Sequence, residues 1–316
     1  MQDQAVFVGV DASKAELVSS VHGGQGCAAL PNQDAAVAAW LRTLPPGAKV
    51  AVESTGECHL TLVRQAVRLG VTVYVLNARD VYFYAKALGM RAKTDRVDAR
   101  VIARYLAEHH AQLRPYRPPS PTQAEIEQLL GQRWVAVTKR TALRQALRGS
   151  PAIDQQVQHL DASFDSLLQA IDQRIEQLID TDPTLKASQR QLLTIVGVGS
   201  QASALLSSLL ARLQFASADA LVAFSGLDPR AQDSGRSHGK RRLSKRGSPD
   251  LRRQMYMVAM SACHSKVFGP LYQQLRSRGF KTTEALVILA RKLLRVAYAV
   301  WRSGKPFEPD RFTVPT

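Results

Sequence analysis

Short apolar runs recur through the first third of the chain and are typical of buried strands. They predict strands over residues 6–11, 15–21, 26–30, 49–53 and 71–76. Helices are predicted from Asn32 to Leu41 and over residues 57–69, 78–88 and 95–108, with Gly70 capping the second. A meander of strands followed by strand–helix repeats indicates an α/β domain built on a mixed sheet.

The chain changes character after residue 113, because four prolines fall within residues 114–121. Such a run predicts an extended, semi-rigid linker. Two long helices are predicted beyond it, over residues 122–148 and 152–181. In the second helix, apolar residues recur at steps of three and four as one narrow seam: Ile153, Val157, Leu160, Phe164, Leu167, Ile171 and Leu178. The seam fits either packing within a helical hairpin or a coiled-coil dimerisation arm, and both interpretations stay open.

Four segments follow from these patterns. They are an α/β domain over 1–112, a Pro-rich linker over 113–121, a helical hairpin or coiled-coil arm over 122–183, and a helix-rich region over 184–316. In the last segment, the turn at Gly197-Val198-Gly199 precedes an apolar helix over 201–213 and matches a helix-hairpin-helix. Backbone N–H groups at Gly197 and Gly199 can hold a phosphate, and a tight turn between packed helices is the alternative.

The charge balance of the chain is strongly basic. Lys and Arg number 42 against 26 Asp and Glu, which gives a formal net charge of +16. This excess indicates a polyanionic partner, and nucleic acid is favoured over a membrane because no run of about 18 apolar residues is present. The N-terminus lacks a signal-peptide pattern, and the 3 scattered cysteines form no disulfide framework or metal motif. A cytoplasmic location is therefore predicted.

Four carboxylates form the first candidate site. Asp11 and Glu53 each close a predicted strand, and Asp95 and Asp98 lie three residues apart at the start of a predicted helix. Each acid alone fits a turn or cap residue. As a set at strand ends, they can converge, and converging carboxylates need a cation or a proton. The pattern predicts Mg²⁺-assisted attack on a phosphodiester, with Lys93, Arg96 and Arg100 available to phosphates.

A basic, glycine-rich segment over residues 226–247 forms the second candidate site. It contains few apolar residues and is predicted to be a surface loop. A solvated charge run that grips phosphates without specificity is the simplest interpretation. Ser234 stands beside Gly235 and among cations that would stabilise phosphoryl charge, so a nucleophilic serine is the alternative.

Several motifs, taken together and in order, resemble those of the DEDD transposases of bacterial insertion sequences. They are Gly9–Lys14, Glu53–Gly56, Lys93–Arg100, Phe224–Arg230, Ser234-Gly235, Ser244–Gly247 and Leu251–Arg253. The resemblance extends from about residue 5 to residue 310. It implies an RNase H/RuvC-like domain over 1–112 and a C-terminal serine transposase domain over 184–316.

The resemblance also implies a mechanism. Ser234 would attack the DNA backbone and hold the cut strand as a phosphoserine, while Asp11, Glu53, Asp95 and Asp98 would bind one or two Mg²⁺ ions. A structured bridge RNA would pair with double-stranded donor and target DNA, and the protein would act as a homodimer or tetramer at the bacterial nucleoid, with no membrane partner.

Nucleic-acid contacts are expected from the glycines and cations named above and from Arg230, Arg236, Lys240, Arg241, Arg242, Lys245, Arg246, Arg252 and Arg253. Two other functions remain open. A metal-dependent RuvC-like endonuclease or junction resolvase would use only the carboxylates, with water as the nucleophile. A non-enzymatic scaffold is disfavoured because all four acids are present.

Overall fold

A computed structural model describes residues 5–54, 56–90, 95–149, 151–230, 233–234, 237–238 and 241–312. The chain divides into two compact units, Met1–Pro118 and Pro119–Thr316. Each unit has its own hydrophobic core.

The first unit is built on a five-stranded sheet. Its strands are β1 (Phe7–Ala12), β2 (Glu16–Val21), β3 (Cys27–Pro31), β4 (Lys49–Glu53) and β5 (Thr72–Leu76), in the order β3-β2-β1-β4-β5. The central strand β1 runs antiparallel to β2 and parallel to β4. The predicted mixed sheet is confirmed, and all five predicted strands are present.

Helices cover both faces of this sheet. They are α1 (Asp34–Arg42), α2 (Leu60–Arg68), α3 (Ala78–Ala87) and α4 (Asp95–His109). Val8, Val10 and other residues of one face pack with α1 and α2, whereas Ala51 and Tyr74 on the other face pack with α3 and α4. Gly70 adopts the left-handed φ of +70° after α2, as its predicted capping role requires.

The start of the Pro-rich segment belongs to the first unit. The backbone N–H of Tyr116 donates to the carbonyl of Val73 at 2.7 Å, and the Tyr116 ring packs against the core. Residues 113–116 are therefore docked beside strand β5.

Two long antiparallel helices open the second unit, α5 (Pro121–Ala146) and α6 (Asp154–Asp180), with a short 3₁₀ turn at Pro151–Ile153. A capping box starts α5, in which the Ser120 hydroxyl accepts from Gln123 N–H and the Gln123 side chain accepts from Ser120 N–H. Ion pairs link the two helices: Arg133 with Asp172, Arg140 with Asp161 and Asp165, Arg144 with Asp161, and Arg174 with Glu125. The predicted helical hairpin is thus present.

The apolar seam of α6 is fully buried only near its C-terminal end. Ile171 and Leu178 are buried against α5 and its neighbours. Leu160 and Leu167, nearer the N-terminal end of α6, are 41% and 49% exposed within this chain. A coiled-coil dimerisation arm stays a prediction.

The remaining helices of the second unit share one core. They are α7 (Pro183–Leu193), α8 (Ser200–Arg212), α9 (Ala218–Ser225), α10 (Pro249–Ala262), α11 (Gly269–Ser277) and α12 (Thr282–Ser303). In the part of the chain that the structure describes, no helix is both long and apolar enough to cross a bilayer.

Candidate active site

Strand β1 and helix α4 approach each other unusually closely at Gly9. A Cβ atom built on Gly9 would stand 2.1 Å from the Ala103 nitrogen and 2.3 Å from the Ala99 carbonyl oxygen. Only a residue without a side chain fits there. The first turn of α4 is thereby held close to the end of β1. An isolated glycine within an apolar strand run is the sequence signal for this contact.

The strand register places Asp11 and Glu53 beside that helix. Gly9 and Asp11 lie on the same face of β1 because side chains alternate along a strand. Val10 pairs with Val52 in the parallel ladder, so the next step brings Asp11 level with Glu53. Ala51, two residues before Glu53, packs in the core shared with α4. Both acids therefore face α4, whose first turn carries Asp95 and Asp98.

The other three carboxylates act on the pKa of Asp11. The pKa of Asp11 is raised from its usual 3.8 to about 6, first by burial and then by the negative charges of Asp95, Asp98 and Glu53. A hydrogen bond from the Ala12 backbone lowers the same pKa slightly and does not offset these effects. The structure brings together at one sheet edge the acids that the sequence singled out.

The same acids form a loose cluster. Among the residues that the structure describes, no three His, Cys, Asp or Glu side chains converge tightly enough to hold a metal ion as they stand. The repulsion on Asp11 nevertheless acts between these side chains. Oxygen donors on two strand ends and one helix turn are the ligand type that a hard cation such as Mg²⁺ prefers.

Cations flank the acidic edge on helix α4. Arg96 and Arg100 are exposed, and the Arg100 guanidinium donates to the Gln25 carbonyl at 2.9 Å. Lys93, the third cation predicted here, lies outside the described residues.

The second candidate site belongs to the second unit. Ser234 ends a two-residue strand, β7 (Asp233–Ser234), whose backbone pairs with β8 (Ser237–His238). The strands that flank this pair in the chain, β6 (Pro229–Arg230) and β9 (Arg242–Leu243), also pair with each other. The predicted loop therefore contains two short antiparallel ladders. Arg236 and Lys240 lie outside the described residues.

A tight chain crossing anchors the base of this hairpin. A Cβ on Gly247 would stand 1.7 Å from the Phe224 carbonyl oxygen, and Gly226 adopts a φ of +71° against the same segment. The buried Ser244 hydroxyl donates to the Asp228 carboxylate. We call Gly226, Asp228, Ser244 and Gly247 the hairpin base.

Arg252 on α10 braces the hairpin base from below. Its guanidinium donates to the carbonyls of Ser225 at 3.1 Å and Gly247 at 2.6 Å. Lys245, within the crossing, has a φ of +53°, and it is the one non-glycine residue with a positive φ in the described ranges. No local pattern signals this bracing, because Arg252 and Ser225 are 27 residues apart in the chain.

Other predicted cationic contacts surround the hairpin. Arg241, Arg242, Lys245 and Arg246 are exposed, and Arg230 is half-buried. Arg253 is half-buried, pairs with Asp250 at 2.7 Å and stacks 4.0 Å from the centre of the Trp134 ring. The exposed group offers positive charge to a phosphate backbone.

The glycine turn between α7 and α8 has a packing role. Gly197 has a φ of +92°, and a Cβ on it would lie 2.7 Å from the Ala262 Cβ of α10. Gly199 is exposed at the start of α8. Close helix packing accounts for Gly197, and phosphate binding at this turn stays a prediction.

Two family models match the chain. One, a transposase model of the DEDD and IS110 type, matches residues 8–150. The other, described as transposase IS116/IS110/IS902 family, matches residues 189–273. The first match contains the carboxylate cluster and the second contains Ser234. The chain belongs to this transposase family.

Relatives of this transposase carry related names. The pilin gene-inverting proteins of Moraxella bovis and Moraxella lacunata are each 30% identical over 271 residues, which is 81% of this chain and 81% of their own length. An insertion element IS110 protein of Streptomyces coelicolor is 26% identical over 61% of this chain and 46% of its own.

A solved structure of T. thermophilus RuvC in complex with a Holliday junction substrate resembles part of this transposase. The match has a TM-score of 0.27 and 17% identity, and covers 36% of this chain and 100% of RuvC. Family membership makes this protein an enzyme that cuts and rejoins DNA.

Proposed function

We propose that this transposase exchanges donor and target DNA strands of an insertion sequence through a phosphoserine at Ser234, under the guidance of a structured bridge RNA. The observation that carries the proposal is the gathering of Asp11, Glu53, Asp95 and Asp98 at one sheet edge, where burial and then the charges of the other three acids raise the pKa of Asp11. Such an edge is suited to metal-assisted phosphodiester chemistry.

Asp11, Glu53, Asp95 and Asp98 are the residues that would hold Mg²⁺. A divalent ion there would polarise a phosphate oxygen and neutralise developing charge. The protein's own contribution is position, because Gly9 keeps α4 against β1 and so keeps the two pairs of acids at one edge.

Ser234 would supply the nucleophile. Its Oγ forms a bond to phosphorus, the bond from phosphorus to the leaving deoxyribose oxygen breaks, and the Oγ proton ends on that oxygen. A hydroxyl of the other DNA strand later attacks the phosphoserine and releases Ser234 with its proton restored. Phosphodiester bonds are conserved in number, so rejoining requires no ATP. The names of the Moraxella relatives, which refer to gene inversion, support a cut-and-rejoin reaction.

If an RNA guides the reaction, the protein itself need not recognise the DNA sequence. The exposed cations at the hairpin and on α4 suit contacts to a nucleic-acid backbone. Base pairing between RNA and DNA would then choose donor and target sites.

Assembly is proposed to complete the active site. The carboxylates belong to the first unit and Ser234 to the second. A homodimer or tetramer, joined through the proposed arm over residues 122–183, would bring the two groups together only when both DNAs are bound.

A Ser234→Ala variant tests the nucleophile. The test uses radiolabelled DNA carrying donor and target sites, Mg²⁺, and RNA that co-purifies with the protein from its host. The parent protein should form a protein–DNA adduct that survives denaturing gel electrophoresis, and the variant should bind both nucleic acids without forming it. Ser237→Ala, three residues away on the paired strand, is the matched control and should keep the adduct.

Continued DNA cleavage by Ser234→Ala would instead identify a metal-dependent endonuclease or junction resolvase that uses water as the nucleophile.

Purification without nuclease treatment, followed by sequencing of bound RNA, tests whether a guide RNA is present. Absence of a discrete RNA species would refute that part of the proposal.

A further inference from the structure

We propose that helix α3 carries a stacking site for one unpaired base of the DNA substrate, formed by Tyr82 and Phe83. The inference deepens the proposed function, since strand exchange unpairs bases near the cleaved phosphate. Neither aromatic residue is part of the carboxylate cluster or of the serine hairpin.

The packing of α3 fixes which face is presented outward. Val81 is buried on the inner face of the helix. The Tyr84 hydroxyl donates to the Glu108 carboxylate at 2.5 Å. The Tyr84 ring also contacts Tyr105 edge-on, with 5.0 Å between ring centroids. With this face held against α4, Tyr82 and Phe83 are 53% and 48% exposed. Two large adjacent rings on an exposed surface indicate a binding surface.

Each ring is paired with a cation one helical turn away. Lys86 Nζ lies 4.7 Å from the centroid of the Tyr82 ring, and the Arg79 guanidinium lies 5.5 Å from that of Phe83. Both pairs have i, i+4 spacing, which places their members together on a helix. Positive charge next to exposed aromatic rings suits an anion that carries flat bases better than an uncharged apolar surface.

The mutual angle of the rings limits how much they can bind. Their centroids are 5.5 Å apart and their planes meet at 70°. Rings at this angle cannot continue one stacked column, but they form a corner that contacts a single base on its face and at its edge. One base is therefore assigned to the pair.

The corner lies close to the acidic edge. Strand β5 ends at Leu76, which pairs with Glu53, and the Ser54 N–H donates to the Leu76 carbonyl at 2.9 Å. Helix α3 starts two residues later at Ala78. The helix that carries the corner therefore begins beside the strand end that carries Glu53, and the base would belong to the DNA next to the phosphate held at the acids.

The experiment measures equilibrium binding of fluorescent single-stranded DNA to the full chain in EDTA, where no cleavage occurs. The double variant Tyr82→Ala/Phe83→Ala should bind it at least about tenfold more weakly, since stacking contributes strongly for each base. Its affinity for duplex DNA should change by less than about twofold, because duplex bases stay stacked on one another. Quenching of a 2-aminopurine base in the single strand should be lost as well.

Two further variants make the result specific. The exchange Tyr82→Phe/Phe83→Tyr keeps both rings and should retain the parent's affinity. Leu60→Ala/Val67→Ala removes two exposed apolar residues from α2 of the same unit and should also leave affinity unchanged. Each single alanine variant should lose nearly as much affinity for single-stranded DNA as the double variant, because both rings contact the same base.

Three outcomes would overturn the inference. They are unchanged single-strand DNA affinity in the double variant, a loss confined to RNA of the same sequence, and a change only in the oligomeric mass. The readout is independent of Ser234, since a Ser234→Ala protein should show the same quenching. Failure of the serine mechanism and failure of the stacking site would therefore be distinguishable.

Discussion

The backbone nitrogen of Ala103 lies 2.1 Å from the position that a Cβ atom on Gly9 would occupy. This contact seats helix α4 on strand β1 and sets the spacing between the pair Asp11–Glu53 and the pair Asp95–Asp98. Backbone is on both sides of the contact, so no side-chain rotation can relieve an added methyl group.

Gly9→Ala is therefore expected to push α4 away from the sheet. We expect the free energy of unfolding to fall by about 2–4 kcal/mol and DNA cleavage to be lost even in the folded fraction. Urea denaturation and a cleavage assay at low temperature measure the two effects. Gly26→Ala, whose new Cβ would meet nothing within 4 Å, is the control and should change stability by less than about 0.5 kcal/mol. Equal stability of both variants would contradict the role of the close contact.

Asp11 makes the folded state sensitive to pH. Its pKa is about 6 in the folded protein, above the usual 3.8. Between these two pH values, Asp11 is therefore protonated in the native state and ionised in the unfolded chain. Stability from this group is highest below the unfolded pKa and declines as the pH rises through the folded one. Asp11→Asn should therefore gain stability over the parent between about pH 4 and 6, reaching about 1–2 kcal/mol after allowance for solvent screening.

Urea denaturation of both proteins in EDTA across this pH range measures the difference. Asp34→Asn is the control, because Arg64 holds the pKa of Asp34 below its usual value and removal of that carboxylate relieves no repulsion. A stability difference for Asp11→Asn that does not vary with pH would show that the acids do not interact.

Magnesium is expected to reverse the repulsion at the acidic edge. Addition of Mg²⁺ at about ten times its dissociation constant should stabilise the parent by about 1.4 kcal/mol at neutral pH, because the ion binds only the folded state. Thermal unfolding with and without Mg²⁺ checks this. The shift should disappear in Asp11→Asn and persist in Asp34→Asn. The same shift in all three proteins would place the ion elsewhere.

Substitutions at Arg252 and Arg242 should distinguish a residue that stabilises the hairpin from one that contacts phosphate. Arg252→Met removes the donor to two backbone carbonyls and should lower stability by about 1–3 kcal/mol. Arg242→Met changes an exposed cation and should leave the melting temperature unaltered while weakening DNA binding. For Arg242→Met the slope of log affinity against log salt should fall by about one. The reverse pattern would make Arg252 the phosphate contact.

The local elements of this protein could be read from its sequence. Apolar runs of strand length and helical spacing located the five strands of the sheet and the two helices of the hairpin, because burial of side chains follows the repeat of each element. The predicted end of α2 at Gly70 was correct for the same local reason. The positions of Asp11 and Glu53 at strand ends were also local facts, and they pointed to a shared sheet edge.

Tertiary structure alone decided the rest. It set the approach of Gly9 to Ala103, which depends on residues more than 90 positions apart, and with it the pKa of Asp11. It folded the predicted loop around Ser234 into paired strands and anchored them through Gly247. Close packing and loss of solvent arise when distant segments meet, and no local repeat in a sequence records them.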